Sequence, residues 1–299
     1  MAAYRDIQRR GVFTPGDPQS GYYNDLRDVA RSYGTPSEAL GWLDLLFDRR
    51  DVVWPVTIVQ LGLGAWQLAA SGEDPAWGHV VARIADWAIL DMDGYGRVAH
   101  LQPMPHTYRI DPPWHSAMAQ GQLASLLVRA AVLLDRSELT AQAQRAARSL
   151  LDTQLGLIEP TAEGDVLQEY PATPAAHVLN GWIWALWGLY DVGREDPAAF
   201  AAFTRGCDTL AARIDSYELS NGWSRYDLYP HPVVNIASPF YHRLHIEQLR
   251  ALHMLAPHAE FVRTADRWEA AYQRRATRAV AVLRKVGFRM IRPRGRRAA

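Results

Sequence analysis

Cysteine, net charge, β-branched runs and long apolar segments are all scarce in this sequence, and each shortage excludes a class of protein. The single cysteine, Cys207, forms no internal disulfide and no cysteine metal cluster, which fits a reducing compartment and a packing role. The most apolar stretch, VLNGWIWALWGLYDV from Val178, is about 15 residues long, short of the roughly 20 that cross a bilayer. The N-terminal MAAYRDIQRRGVF lacks the apolar run of a secretory signal. We therefore expect a cytoplasmic globular protein.

The formal net charge is zero, but the charge is unevenly distributed. From Arg274 to the end the chain has ten Lys and Arg residues and no Asp or Glu, so the remainder is acidic by ten charges. An acidic body is unsuited to polyanions, and we predict that nucleic acid is not a partner. The basic tail either solubilises the end of the chain or makes a peripheral contact with anionic lipid or a lipid-linked glycan at the inner membrane face.

A repeat of helix pairs is the main large-scale feature. The first helix of each pair carries glycine and polar residues among its apolar positions, and the second has one apolar stripe and an exposed polar face. The first helices begin about 60 residues apart, at Trp54, Ser116, Ala175 and Tyr241. Helices that are apolar nearly all round belong inside. The pattern predicts an all-α fold in which about four helical hairpins close into an α/α barrel (toroid).

Long connectors rich in proline, glycine and aromatic residues precede the inner helices, and such rim loops usually carry function. Short alternations within them, GRVAHLQ and GDVLQEY, predict small β-hairpins. We divide the chain into an N-terminal extension (1–50), the barrel (51–272) and a basic C-terminal helix and tail (273–299), with the helix ending near Met290. In the extension, GYYNDLRD near Tyr22 is interpreted as packing rather than as a lid.

Three rim motifs carry a family resemblance: WHSAMAQGQLASLLVRA from Trp114, EYPATPAAHVLNGWIWALWGLYD from Glu169, and RYDL from Arg225 together with YHRLHIEQL from Tyr241. In this order and spacing they resemble the C-terminal catalytic region of D-glucuronyl C5-epimerases, over about residues 50–272. The resemblance implies an α/α barrel and an isomerase that converts glucuronate into iduronate within a glycan. It implies a uronate-containing glycan as the substrate, such as a bacterial-type polysaccharide. The residue types of the candidate site imply no metal or organic cofactor. The oligomeric state is left open.

The sequence also departs from the family pattern. About 50 residues precede the similar region here, where members that act on animal heparan-type chains carry a membrane anchor and a β-rich domain. After Tyr-Asp-Leu the family often has Arg-His, whereas this chain has Tyr229, Pro230 and His231. A basic residue ahead of the last motif is replaced by Ser238. The reaction type is therefore better supported than the identity of the substrate.

The resemblance assigns proton transfer to Glu169, Tyr170, Tyr226 and Tyr241. Inverting C5 of a uronate requires that one group removes the proton next to the carboxylate and that another returns a proton from the opposite face of the ring. Glu169 is either the base or the group that orients Tyr170. A tyrosine that donates a proton needs no activation.

A tyrosine that acts as a base at pH 7 needs a pKa about three units below its usual value of about 10. Arg225 and Arg243, each close in sequence to a candidate tyrosine, are predicted to supply the positive charge. The carboxylate of the substrate also needs neutralisation, for which Arg225, His242 and His245 are candidates. Asn180 and Gln120 are predicted to bind sugar hydroxyls, and Trp114, Trp223 and Tyr229 to stack on sugar faces.

Each assignment has a structural alternative. EYP could be a turn before a helix that Thr173 caps and Pro174 begins. His242 and His245 could ligate a metal, although no third ligand is evident. Asn180 and Gln120 could be satisfied core amides. Two other functions stay open: a polysaccharide lyase, which shares proton abstraction, and a non-catalytic glycan-binding protein on the same fold. A glycosidase is disfavoured because no second acidic residue stands out to partner Glu169.

Overall fold

The computed structural model describes residues 9–104 and 107–293, and within them the chain forms eleven α-helices and one two-stranded sheet. The helices are α1 (Arg27–Arg31), α2 (Pro36–Phe47), α3 (Pro55–Ala70), α4 (Trp77–Asp91), α5 (Ala117–Leu133), α6 (Glu138–Arg148), α7 (Leu179–Val192), α8 (Pro197–Arg213), α9 (Pro239–Leu255), α10 (Ala259–Gln273) and α11 (Arg275–Ile291). The antiparallel strands are β1 (Ile158–Thr161) and β2 (Gly164–Leu167), with Ile158 opposite Leu167. No described helix is long and apolar enough to span a membrane.

The four predicted helix pairs are present, and they give the α/α-barrel arrangement. The inner helices α3, α5, α7 and α9 pack side by side in chain order, and α4, α6, α8 and α10 each pack on the inner helix before them. Small residues allow α5 and α7 to approach closely. A Cβ atom added to Gly121 would lie 2.4 Å from the Cα of Ala185, and one added to Gly188 would lie 2.4 Å from the Cα of Gly121. Because every residue of α7 from Leu179 to Leu189 is buried, this helix forms the centre of the core.

Helices α5 and α9 begin with a side-chain N-cap, whereas α7 does not. Ser116 caps α5 by accepting a hydrogen bond from the Ala119 N–H, and Ser238 caps α9 by accepting one from the Tyr241 N–H. The structural alternative for EYP, a cap by Thr173 with Pro174 at the first helical position, is wrong, because α7 begins at Leu179 and its N-cap, Val178, offers no side-chain hydrogen bond. The stretch from Glu169 to Val178 is an irregular loop that lies on the core.

The N-terminal segment packs into the same hydrophobic core as the barrel. Helix α1 packs on α3, and α2 packs on α4. Tyr22 and Tyr23 are fully buried, and the guanidinium of Arg129 on α5 lies 4.8 Å from the Tyr22 ring centroid. GYYNDLRD is therefore a packing element, as expected. The boundaries at residues 50 and 272 stay a prediction, and parts of both terminal segments, residues 1–8 and 294–299, lie outside the described residues.

The long connectors meet at one end of the barrel, where α5, α7 and α9 begin. Backbone hydrogen bonds join them: the Ala117 N–H donates to the Gln168 carbonyl, and the Leu179 N–H donates to the Tyr226 carbonyl. The hairpin predicted in GDVLQEY is confirmed by β2 and its partner β1. The one predicted in GRVAHLQ is wrong, because that stretch makes an isolated bridge from His100 to Trp114 instead. This end of the barrel carries the chemically interesting side chains.

Candidate active site

Four residues predicted to transfer protons come together at the rim. The loop between β2 and α7 delivers Glu169 and Tyr170, the connector between α8 and α9 delivers Tyr226, and Tyr241 lies in the first turn of α9. The Tyr170 hydroxyl donates a hydrogen bond to the Glu169 carboxylate and accepts one from Tyr226. The rings of Tyr226 and Tyr241 meet edge to face with their centroids 4.8 Å apart. The group thus forms one continuous polar cluster.

Glu169 lies against the N-terminal end of α7. Its carboxylate accepts hydrogen bonds from the Asn180 side chain, at 3.3 Å, and from the backbone N–H of Gly181. Glycine is required at 181 because an added Cβ atom would lie 2.4 Å from the Glu169 Cβ. Burial, which leaves the side chain 4% exposed, raises the pKa of Glu169 to about 8. The helix start that was expected to attract the carboxylate of a substrate holds the protein's own carboxylate instead.

Two tyrosines of the cluster, Tyr170 and Tyr226, are neutral phenols. Burial raises the pKa of both Tyr170 and Tyr226, and the negative charge of Glu169 raises both further. The predicted activation of a tyrosine by Arg243 is wrong. Arg243 points away, with Nη2 2.7 Å from the Glu247 carboxylate and Nη1 on Glu269. The charge of Arg225 lowers the pKa of the buried Tyr217, and its action on a tyrosine of the cluster stays a prediction. A phenol of the cluster loses its proton only if a partner takes it, and Glu169 is that partner for Tyr170.

Aromatic rings surround the cluster. Trp114 is almost fully buried, stacks on His100 at 3.9 Å, and has its ring centroid 5.8 Å from that of Tyr170. Tyr108 lies 5.1 Å from Tyr170 and 5.4 Å from Tyr229 between ring centroids. Trp114 and Tyr229 are therefore close to the site as predicted. Tyr108, which sequence reasoning missed, closes the same aromatic wall.

Asp227 is a second carboxylate that sequence reasoning also missed. Its Oδ2 atom accepts hydrogen bonds from the Tyr108 hydroxyl and the Asn235 amide, each at 2.5 Å, and lies 3.3 Å from the His231 Nε2 atom. Its charge contributes to the raised pKa of Glu169. The RYDL motif contains this aspartate directly after Tyr226, which is a signal that could have identified it. Because all of these partners are protein side chains, Asp227 holds the aromatic wall of the site in place.

Three predicted ligands of the substrate are core residues instead. Trp223 is fully buried and stacks on His242 at 3.8 Å. The Ser224 hydroxyl lies 2.8 Å from Nδ1 of His242 and 3.0 Å from Nδ1 of His245, and burial lowers the pKa of His242 to about 3 and that of His245 well below its usual value. Both imidazoles are neutral, so the prediction that they neutralise a carboxylate is wrong. The described residues contain no group of three His, Cys, Asp or Glu that could hold a metal.

The two inner-helix amides also serve the protein itself. Gln120 accepts from the Val98 N–H at 3.0 Å and donates to the Gly96 carbonyl at 2.8 Å, so it holds the connector after α4. It is a satisfied core amide, and its predicted role in binding sugar hydroxyls is wrong. Asn180 lies at the site, where it donates to Glu169. Helical periodicity predicts that both amides lie inside the barrel. It does not predict which group each side chain binds there.

A cavity of about 380 Å³ opens beside the Tyr170 loop. Its lining includes Arg109, Trp114, His115 and Pro171. A larger cavity of about 510 Å³ lies between β2 and α8. None of the four clustered residues lines either cavity, but the smaller one is lined by Pro171, next to Tyr170, and by Trp114. The smaller cavity is the better candidate for a glycan because it adjoins the titratable cluster and has polar and aromatic walls.

Comparisons with known proteins bear on the family and the fold of this chain. The model of a family described as D-glucuronyl C5-epimerase C-terminus matches residues 95–270. A D-glucuronyl C5-epimerase of Caenorhabditis elegans is 28% identical over 222 residues, which cover 66% of this chain and 36% of that protein. The chain therefore spans about a third of the length of this curated relative. The crystal structure of an unsaturated glucuronyl hydrolase from Bacillus sp. GL1 has a TM-score of 0.50 at 14% identity, covering 93% of this chain and 78% of that one, so the two share a fold.

Proposed function

Because this chain belongs to the D-glucuronyl C5-epimerase C-terminal family, we propose that it is a uronosyl C5-epimerase, an isomerase that inverts C5 of glucuronate or a related uronate within a glycan. One observation carries the proposal. The buried Glu169, whose pKa is about 8, accepts a hydrogen bond from the Tyr170 hydroxyl beside Tyr226 and Tyr241. This arrangement combines a base of suitable strength with several phenols that can donate protons.

The first step breaks the C5–H bond of the uronate. The proton passes to the Tyr170 oxygen while the Tyr170 hydroxyl proton passes to Glu169, and the electron pair of the bond moves into the substrate carboxylate. Glu169 has its oxygens occupied by Tyr170, Asn180 and the Gly181 N–H, so it acts through Tyr170. A pKa near 8 leaves part of Glu169 ionised at neutral pH, which is the form that accepts the proton.

The second step returns a proton to the opposite face of C5. We assign this step to Tyr226 and Tyr241, two neighbouring phenols that can donate a proton. The hydrogen bond from Tyr226 to Tyr170 then provides a route by which the proton held on Glu169 restores the donor. The glycan on either side of the reacting uronate would occupy the cavity lined by Arg109, Trp114 and His115. The products would include iduronate where the substrate contains glucuronate.

Deuterium incorporation tests the proposal and separates it from its alternatives. We expect that folded protein in heavy water introduces deuterium at C5 of uronate residues in a panel of glucuronate-containing oligosaccharides. A rise in ultraviolet absorbance from unsaturated ends would instead identify a lyase, which expels the C4 substituent after the same abstraction. Binding without exchange that survives Tyr170→Phe and Tyr241→Phe would identify a glycan-binding protein. Release of reducing ends would identify a hydrolase that uses Asp227 with Glu169.

We also propose a peripheral contact between α11 and an anionic membrane, which would bring the protein to lipid-linked glycans. The outward face of α11 is apolar, with Leu283 71% exposed and Met290 75% exposed, and Val282 and Val286 lie beside them. The chain from Arg275 onward has nine basic and no acidic residues. An exposed apolar face flanked by basic residues is typical of helices that lie in the membrane interface. The cytoplasmic location stays a prediction.

Vesicle binding tests this contact. We expect cosedimentation with vesicles of mixed phosphatidylglycerol and phosphatidylcholine, a loss of affinity of at least tenfold in Leu283→Glu, and weakening by salt. Leu45→Glu on α2 is the matched control, since Leu45 is 73% exposed and lies on another helix. Equal binding of wild type and Leu283→Glu, or no preference for anionic vesicles, would reject the membrane contact and leave the epimerase proposal untouched.

A further inference from the structure

Three of the four predicted cations of the active site, all but Arg225, are not available to a substrate carboxylate. Arg243 is paired with Glu247 and Glu269, and His242 and His245 are neutral core groups. A carbanion next to a carboxylate requires positive charge at that carboxylate. A cation near Tyr226 that the sequence motifs did not indicate would supply it.

Helix α11 brings a cation to the site from outside the region that the family model matches. The match ends at residue 270, and α11 begins at Arg275. Its inward face packs Ala281 and Phe288 against the body, and between them in the helix lies Lys285. The Lys285 Nζ atom is 5.3 Å from the centroid of the Tyr226 ring and donates a hydrogen bond to the Asn235 Oδ1 atom at 2.7 Å.

The surroundings of Lys285 hold it at the site. Asn235 uses its other amide atom to donate to Asp227 at 2.5 Å, so one residue connects the lysine to the ordered wall. Phe288, one turn further along α11, packs edge to face on His231 with 5.0 Å between ring centroids. The Arg289 Nη1 atom lies 3.1 Å from the Thr107 hydroxyl on the rim loop. The positive charge of Lys285 also contributes to the lowered pKa of the buried His245.

We propose that Lys285 binds the carboxylate of the uronate during C5 inversion. The inference rests on the proposed function. A lysine ammonium has three donors, so it can keep its bond to Asn235 while it donates to a carboxylate oxygen. Its neighbour Tyr226 carries one of the candidate proton donors, so a carboxylate held by Lys285 would lie next to the reacting face. In this role Lys285 sets specificity for uronates over neutral sugars.

Two matched ligands allow the binding role of Lys285 to be measured separately from catalysis. The probes are a hexasaccharide of alternating glucuronate and N-acetylglucosamine and the same hexasaccharide with its carboxyl groups reduced to alcohols. Calorimetry measures the affinity of wild type, Lys285→Met, Lys285→Arg and the control Arg263→Met for each probe. Arg263 lies exposed on α10 and pairs with the exposed Glu260. Thermal unfolding of each variant checks that it is folded.

We expect Lys285→Met to weaken binding of the acidic hexasaccharide about tenfold to hundredfold and to leave binding of the reduced one within about twofold, because one charge-assisted hydrogen bond is lost. Lys285→Arg should retain most of the preference, and Arg263→Met should match wild type. In exchange assays, Lys285→Met should lower kcat/KM at C5 by at least the same factor.

Equal weakening for both probes would overturn the assignment, since it would indicate a packing role for Lys285. Unchanged preference in Lys285→Met would overturn it as well. If folded wild-type protein shows C5 exchange but Lys285→Met exchanges at the wild-type rate, only the role of Lys285 fails. If wild type neither binds the acidic probe nor exchanges C5 of any uronate glycan, the proposed function and the role of Lys285 fail together.

Discussion

Helix α7 has a buried carboxylate near each of its ends, and the two are held in opposite ways. Asp191, near the C-terminal end, is 2% exposed. Its Oδ2 atom lies 2.5 Å from the Arg129 guanidinium, and its Oδ1 atom accepts a hydrogen bond from the Tyr23 hydroxyl at 2.5 Å. Glu169, against the N-terminal end, is 4% exposed and is bound by Tyr170, Asn180 and the Gly181 N–H, all of them neutral.

The difference separates a structural carboxylate from a chemical one. Asp191 is paired with a buried cation, Arg129, and this pair fixes α5, α7 and the N-terminal segment together. Glu169 has neutral donors, which compensate only part of its desolvation, so its pKa rises to about 8 and it can exchange a proton at neutral pH. Burial alone therefore does not distinguish the functional carboxylate from the structural one, because both are buried. The charge of the hydrogen-bond partners distinguishes them.

The largest expected effect comes from removing the chemical carboxylate. Glu169→Gln keeps the shape of the side chain and its hydrogen bond from Asn180 but cannot accept a proton. We expect C5 exchange to fall by about 10³-fold to 10⁴-fold or more while the protein stays folded. Glu159→Gln on β1, an exposed residue of the same connector, should behave as wild type. Exchange within tenfold of wild type in Glu169→Gln would show that another group is the base.

Removing the cation of the structural pair should act on stability instead. Arg129→Leu leaves Asp191 buried without its charge partner, and we expect the free energy of unfolding to fall by about 3 to 5 kcal/mol in urea titrations. Arg83→Leu, which removes a partly exposed pair with Asp44, should cost at most about 1 kcal/mol. A loss of less than about 1 kcal/mol in Arg129→Leu would contradict the structural role assigned to the pair.

The raised pKa of Glu169 predicts a pH dependence of both activity and stability. As a base it must be ionised, so kcat/KM for exchange should fall about tenfold for each pH unit below 8 and level off above. Because the folded-state pKa is raised, the stabilisation by the neutral carboxyl is complete below about pH 4.5 and is lost as the pH rises through 8. Over that window Glu169→Gln should gain stability relative to wild type. A flat difference would place the pKa of Glu169 near its ordinary value.

Some of this arrangement follows from the sequence and some does not. Period and composition predict the helix pairs, their inner and outer positions and the rim that carries Glu169 and Tyr170, because these depend on local apolar patterns. Partners across the barrel do not follow from local patterns. Gln120, Trp223 and His242 find their partners inside the core, and Arg243 turns outward to Glu247, although each lies in a motif beside a site residue. Asp227 and Lys285 reach the site through the tertiary fold.

The most direct test compares Glu169 and Asp191, the buried carboxylates near the two ends of α7, in one assay: the rate of deuterium incorporation at C5 of a glucuronate oligosaccharide per folded molecule. We expect that Glu169→Gln is folded and loses exchange by at least about 10³-fold, whereas Asp191→Asn is less stable and exchanges within a few fold of wild type at a temperature where it is folded. Wild-type exchange in Glu169→Gln, or a loss of exchange confined to folded Asp191→Asn, would contradict the assignment of Glu169 as the base.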